Sequence, residues 1–199
     1  MSTSIEKSVN GESLKSLLSQ AVEYARANGA DQVEVAASND KGYSVTARMG
    51  EVETVEHHNQ RSMGVTVYRG KAKGAASTNI VTQEAINRTI DSALDIAKFT
   101  AEDECSGLAD AELMANNYPQ LDLDHPWAIE PDQALEQAIR CEEVARNDKR
   151  IVNTEGASVS SISTQMSYAN SHGFVGEYRG TRHSISCSVI ESVGAMARE

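Results

Sequence analysis

The chain has 199 residues, 40% of them hydrophobic, enough for one medium domain or one and a half with a substantial core. Its 29 acidic residues outnumber 18 basic ones for a formal net charge of -11, which disfavours nonspecific attraction to nucleic acid phosphates. No run of about 18 apolar residues occurs, and the polar start "MSTSIEKSVNGES" lacks the apolar stretch of a secretory signal, so neither membrane insertion nor export is expected and the cytoplasm is the expected compartment.

Leu14, Leu17, Leu18, Ala21, Val22 and Ala25 recur at the spacing of an amphipathic helix, which Asn10 or Ser13 can cap and Gly29 can end. The period then changes to two. Val33, Val35 and Ala37 alternate with polar residues, "NDKG" reads as a turn, and Tyr43, Val45, Ala47 and Met49 alternate again, giving two antiparallel strands. Gly50-Glu51 reads as another tight turn before a strand from Val52 to His58. Met63, Val65 and Val67 mark a fourth strand that runs on past Gly70 toward Ala76, so the expected sheet is a four-stranded meander or a variant of one.

A second helix is expected from about Thr82, its cap, to Phe99, with Ala85, Ile86, Thr89, Ile90, Ala93, Leu94 and Ala97 as its apolar stripe. Both helices should cover the same face of the sheet, because alternating strands offer one apolar face. Residues 101–130 lack sustained periodicity and, with Pro131, hold all three prolines, so they read as a long connection. A third helix starts near Pro131 and continues through Leu135, Ala138 and Ile139 to about Asn147.

Beyond Arg150 the sequence turns to serine-rich alternation. Ile162, Thr164, Met166 and Tyr168 share one face of a half-buried strand and Ser161, Ser163 and Gln165 the other. "NSHG" at 170–173 is a turn, and Ile185, Cys187 and Val189 belong to a further strand. The expected class is α+β, an antiparallel sheet covered by helices on one face and followed by the start of a second β-rich domain. Residues 1–150 form the first domain and residues 151–199 begin the second, as in a truncated chain.

Adjacent His57 and His58 follow the acidic run Glu51, Glu53 and Glu56. Consecutive strand residues point to opposite faces, and four after His57 stands Arg61 rather than the second histidine of a zinc-protease helix, so a polar strand end fits better than a metal site. Cys105, Cys141 and Cys187 are widely spaced, without a Cys-x-x-Cys, and read as reduced, mostly buried thiols. Gly64, Gly70 and Gly74 match neither G-x-G-x-x-G nor the phosphate-cradling loop and read as turns or bulges. His172 in "NSHG" and His183 in "TRHS" could meet across a hairpin with Arg179 and Arg182, making these four the candidate contacts for a peptide or a second domain. Residues 101–150 carry thirteen acidic and four basic residues, most of the net charge, so an adaptor that docks basic partners through this segment is the competing reading.

The stretches "GEVETVEHHNQRSMGVTVYRGKAKGAAST", "ALDIAKFTAEDECSGLAD", "LDLDHPWAIEPDQALEQA", "DKRIVNTEGASVS" and "NSHGFVGEYRGTRHSIS", taken in this order, resemble the PmbA (TldE) branch of the TldD/PmbA family over nearly the whole chain. The resemblance implies an α+β N-terminal domain followed by a larger, mostly β domain. It implies a cytoplasmic metalloprotease complex that degrades unfolded or flexible peptides, in which zinc sits on a TldD-like partner. The family's H-E-x-x-x-H motif belongs to the TldD branch and lies beyond the region matched here. The resemblance therefore implies no cofactor and no catalytic residue in this chain, with a TldD-like subunit and peptides as partners. His57 and His58 stand where the family usually has a pair such as Phe-Asn, a position without known chemistry.

Overall fold

The structure is a computed structural model and describes residues 14–115 and 117–191. Helix α1 (Leu14–Ala27) buries Leu17, Leu18, Ala21, Val22 and Ala25, the expected stripe, and Gly29 follows it with a φ of +99°. The expected caps Asn10 and Ser13 lie outside the described residues. Helix α2 (Gln83–Phe99) begins where expected, with the Thr82 hydroxyl accepting the Ala85 N–H at 3.3 Å.

The strands are longer and fewer in this region than the sequence suggested. β1 (Gln32–Arg48) runs straight through "NDKG", and β2 (Glu51–Arg69) joins the two strands expected on either side of Asn59. The reason is at Gly42, where a Cβ atom would come within 2.1 Å of the Ser161 carbonyl oxygen. That glycine lets two backbones approach closely and does not turn the chain. The turn after β1 is at Met49-Gly50, both with positive φ, as a two-residue hairpin connection demands. A further turn at Gly70-Lys71 separates β2 from β3 (Ala72–Thr78), which pairs antiparallel with it from Met63↔Thr78 to Arg69↔Ala72. The expectation of one strand running past Gly70 is thereby corrected.

After the long connection, with a 3-10 turn at Ala111–Leu113, α3 (Pro131–Arg146) starts with proline in its first turn, and the Glu130 N–H donates to Gln133 Oε1 at 3.0 Å. Two long strands follow, β4 (Ile151–Asn170) and β5 (Val175–Glu191). Among the described residues, five strands form one antiparallel sheet in the order β3-β2-β1-β4-β5, so the expected four-stranded meander is replaced by a larger sheet in which β4 lies beside β1.

Packing divides the chain into two compact units, and β1, β2, β4 and β5 each contribute a segment to either. In the first (residues up to Asn39, Gln60–Asp122 and Thr164–Arg179), α1 and α2 touch and share one core with Val33, Val35 and Ala37 of β1 and Met63, Val65 and Val67 of β2. Both helices therefore cover one face of the sheet, as expected. In the second (Asp40–Asn59, Leu123–Ser163 and from Gly180), Ala134 and Ala138 of α3 pack on Val45, Ala47, Ala157 and Val159.

Candidate functional site

Alternation that buries Val33, Val35, Met63, Val65 and Val67 under the helices sends their neighbours to the opposite face of the sheet. In the first unit those neighbours are mostly small. Ala36 on β1, Gly64 and Thr66 on β2, and Ala75 and Ser77 on β3 line a groove of about 410 Å³, with Glu34 and Tyr168 among its walls. The register sets Gly64 opposite Ser77 and Thr66 opposite Ala75, so a floor of short side chains leaves the space open. Such a volume falls within the range of small-molecule and side-chain pockets.

Among the described residues, Glu34 is the one charged residue lining this groove. The Tyr68 hydroxyl donates to its Oε1 at 3.0 Å and the Tyr168 hydroxyl to its Oε2 at 3.0 Å. Asn170 Nδ2 donates in turn to the Tyr168 hydroxyl at 3.4 Å and to the Met114 sulfur at 3.6 Å. Burial, then the negative charge of Glu34, pushes Tyr68 up to about 12. Burial likewise raises Tyr168, with Asn170 pulling the other way and Glu34 adding to the rise. Both tyrosines are therefore hydrogen-bond donors at neutral pH, and they fix the carboxylate while leaving it further acceptor positions. No local signal announced this trio. Glu34 stands at an outward position of an alternating strand, where an acidic residue reads as solvated, and its partners lie 34 and 134 positions away.

The four candidates named from sequence are placed as follows. His172 is exposed in the turn before β5, its backbone N–H donating to Asn170 Oδ1 at 3.0 Å. Arg179 is half-buried and Arg182 exposed, both on β5. His183, at the midpoint of β5, has both ring nitrogens engaged. The His125 carbonyl, 2.9 Å from Nε2, can only accept, so Nε2 carries a hydrogen, and Nδ1 lies 3.0 Å from the Ser161 hydroxyl. The Trp127 ring meets the His183 imidazole edge-on at 5.5 Å between centroids. His183 thus ties the connection before α3 to β5, together with the Thr181 N–H, which donates to the Leu123 carbonyl at 2.8 Å. His172 lies in the turn before β5, and His183 stands eight residues into the strand.

His57 is exposed, and half-buried His58 places Nε2 3.2 Å from the Ser44 hydroxyl, which also lies 3.3 Å from Glu56 Oε2. One hydroxyl proton serves one acceptor only, and Glu56 contacts the hydroxyl rather than the imidazole, so the trio lacks the base-orienting bond of an activated serine. Zinc, which the resemblance implies for a TldD-like partner, does not fit these donors. Among the described residues no three His, Cys, Asp or Glu side chains gather, and burial raises the Cys187 thiol beside Cys141.

Fold and site together define an α+β protein with a helix-covered sheet and, on its other face, a groove carrying a single fixed carboxylate. Residues 33–97 match the PmbA/TldA metallopeptidase domain 1 and residues 124–197 the PmbA/TldA metallopeptidase central domain. Over 94% of its length the chain is 45% identical to the metalloprotease PmbA of Escherichia coli, and over 96% it is 44% identical to the PmbA homologue of Haemophilus influenzae, spanning 42% of each. The chain belongs to the PmbA/TldD family, on the PmbA (TldE) branch, and corresponds to its N-terminal part. Its fold is shared with a protein of Bacteroides thetaiotaomicron described as a modulator of DNA gyrase (TM-score 0.80, 23% identity, covering 96% of this chain and 43% of that one). TldE of Thermococcus kodakarensis also shares it (TM-score 0.71, 16% identity, covering 90% and 40%).

Proposed function

We propose that this chain is the N-terminal part of a noncatalytic PmbA/TldE-like subunit of a cytoplasmic metallopeptidase, which presents unfolded or flexible peptides to a zinc centre on a TldD-like partner. The observation that carries this reading is the 45% identity over 94% of the chain to a protein named metalloprotease PmbA. One physical feature supports the assigned role. Among the described residues β3 and β5 are the outermost strands of the sheet, and an edge strand can bind an extended peptide through main-chain hydrogen bonds with little demand on sequence.

The test is co-purification of the tagged chain with a TldD-like protein, followed by cleavage of an unstructured peptide by each component and by the mixture. The expected result is a stable complex, cleavage that requires the TldD-like protein, and abolition of that cleavage by a chelator. Chelator-sensitive cleavage by the purified chain alone would overturn the noncatalytic assignment. Salt-sensitive recovery of unrelated basic proteins in place of the TldD-like protein would favour the adaptor that docks through residues 101–150.

A further inference from the structure

We propose that the groove over β1, β2 and β3 is a receptor for a primary ammonium group carried by a flexible peptide, with Glu34 as its counter-ion. The inference rests on the peptide reading above and names the chemical group that the chain would select. Three observations lead to it. Among the described residues, the groove's lining holds one charge, the Glu34 carboxylate, amid alanine, glycine, serine and threonine side chains. That carboxylate is held from both oxygens by Tyr68 and Tyr168, so it cannot swing away, and two neutral donors leave its negative charge in place. Lys73, opposite Tyr68 in the register, is exposed and outside the lining.

The shape restricts how such a ligand enters. A peptide added to the outer edge of β3 would lie three strand spacings from β1, about 14 Å, farther than a lysine side chain reaches. The ammonium must therefore arrive on a segment that crosses the face of the sheet, either as the free amino end of a peptide or on a lysine within it. A charge-assisted hydrogen bond in a partly desolvated groove is expected to favour an ammonium-bearing peptide by about tenfold or more over a neutral counterpart.

Gly64 supplies the control. A Cβ built there meets nothing within 4 Å, and its φ is not positive, so the backbone accepts a side chain that projects into the groove. The experiment titrates the full chain, its Glu34→Gln variant and its Gly64→Val variant, following backbone amide shifts by NMR. Three glycine-serine peptides serve as probes. One has a free amino end and no lysine, one is N-acetylated with a single lysine, and one is N-acetylated with norleucine in the lysine's place. Thermal melts check that both variants stay folded. The expected result is tighter binding of one or both ammonium-bearing peptides, with shifts at Ala36, Gly64 and Ala75, and loss of that preference in both variants. Whether the amino end or the lysine carries it identifies the source of the ammonium. Equal binding of all three peptides, or a preference that survives both substitutions, would overturn the ammonium site and leave the peptide reading standing. If no peptide binds, n-butylammonium chloride separates the two ideas. Shifts at Ala36 and Gly64 that Glu34→Gln abolishes would support the site while the peptide reading fell, and their absence would overturn the site as well.

Discussion

Glu142 is fully buried on α3, where sequence reasoning would have expected an apolar residue or solvent. Its oxygens accept the backbone N–H groups of Met49 and Gly50, each at 2.9 Å, so the carboxylate satisfies the positive-φ turn between β1 and β2. Replacing it by glutamine puts an amide donor against a backbone donor and should cost about 1 to 3 kcal/mol in urea melts at neutral pH. Burial pushes the Glu142 pKa up, but the hydrogen bonds from Met49, Gly50 and Thr154, with the charge of Arg146, outweigh it and leave the group below its ordinary 4.5. A folded-state pKa below the unfolded one contributes stability above about 4.5 that is lost as the pH falls through the folded value. The native protein should accordingly lose its advantage over Glu142→Gln on acidification below that point, and an advantage independent of pH would contradict the assignment. Tyr68 behaves in the opposite sense. With its pKa pushed from 10.0 to about 12, its contribution is full below 10.0 and disappears as the pH rises through about 12. Tyrosinate absorbance should show this late-titrating group, and Glu34→Gln should move it partway back, since burial, the larger cause, remains. A titration unchanged by Glu34→Gln would mean the carboxylate is not its partner.

At the scale of elements, the glycines separate what sequence could and could not show. Gly74 sits under α2, where a Cβ would come within 2.0 Å of the Ala93 carbonyl oxygen and 2.7 Å of the Ala97 nitrogen. Helix backbone rests on strand backbone there. Gly74→Ala should therefore cost roughly 1 to 3 kcal/mol or more, whereas Gly64→Ala should be neutral or stabilising by up to about 1 kcal/mol. Equal effects of the two substitutions on thermal or urea melts would refute the close packing of α2 on β3. Both glycines read alike in sequence because close approach depends on a helix some twenty residues further on. The same blindness split β1 at "NDKG", where Gly42 accommodates the Ser161 carbonyl from a strand far along the chain. Helices were legible because their signals are local. The α2 stripe and its Thr82 cap are set within the helix itself, and α1 shows its period over 14 residues.

For the whole molecule, the pairing of distant strands was the illegible step. The serine-rich alternation after Arg150 announces strands but not their neighbours, and β4 joins β1 rather than only β5. The carboxylate groove depends on that pairing, since Tyr168 reaches Glu34 only because β4 lies beside β1. Sheet order has a measurable consequence. β1 and β4 each have a strand on both sides, whereas β5 is outermost among the described strands and is largely exposed from Arg182 to Glu191. Interior strands open only when a neighbour separates, while one side of a last strand exchanges without such an event. Amide hydrogen exchange should therefore find Val35 and Val45 of β1 and Val159 and Ala169 of β4 comparably slow, with alternate amides between Arg182 and Val189 of β5 much faster. Reading residues 151–199 as a unit of its own leads instead to weak protection across all of 160–190. Slow exchange in β4 beside fast exchange in β5 supports the single sheet, and uniformly fast exchange in both strands would show that β4 pairs with β1 too weakly to hold Tyr168 against Glu34.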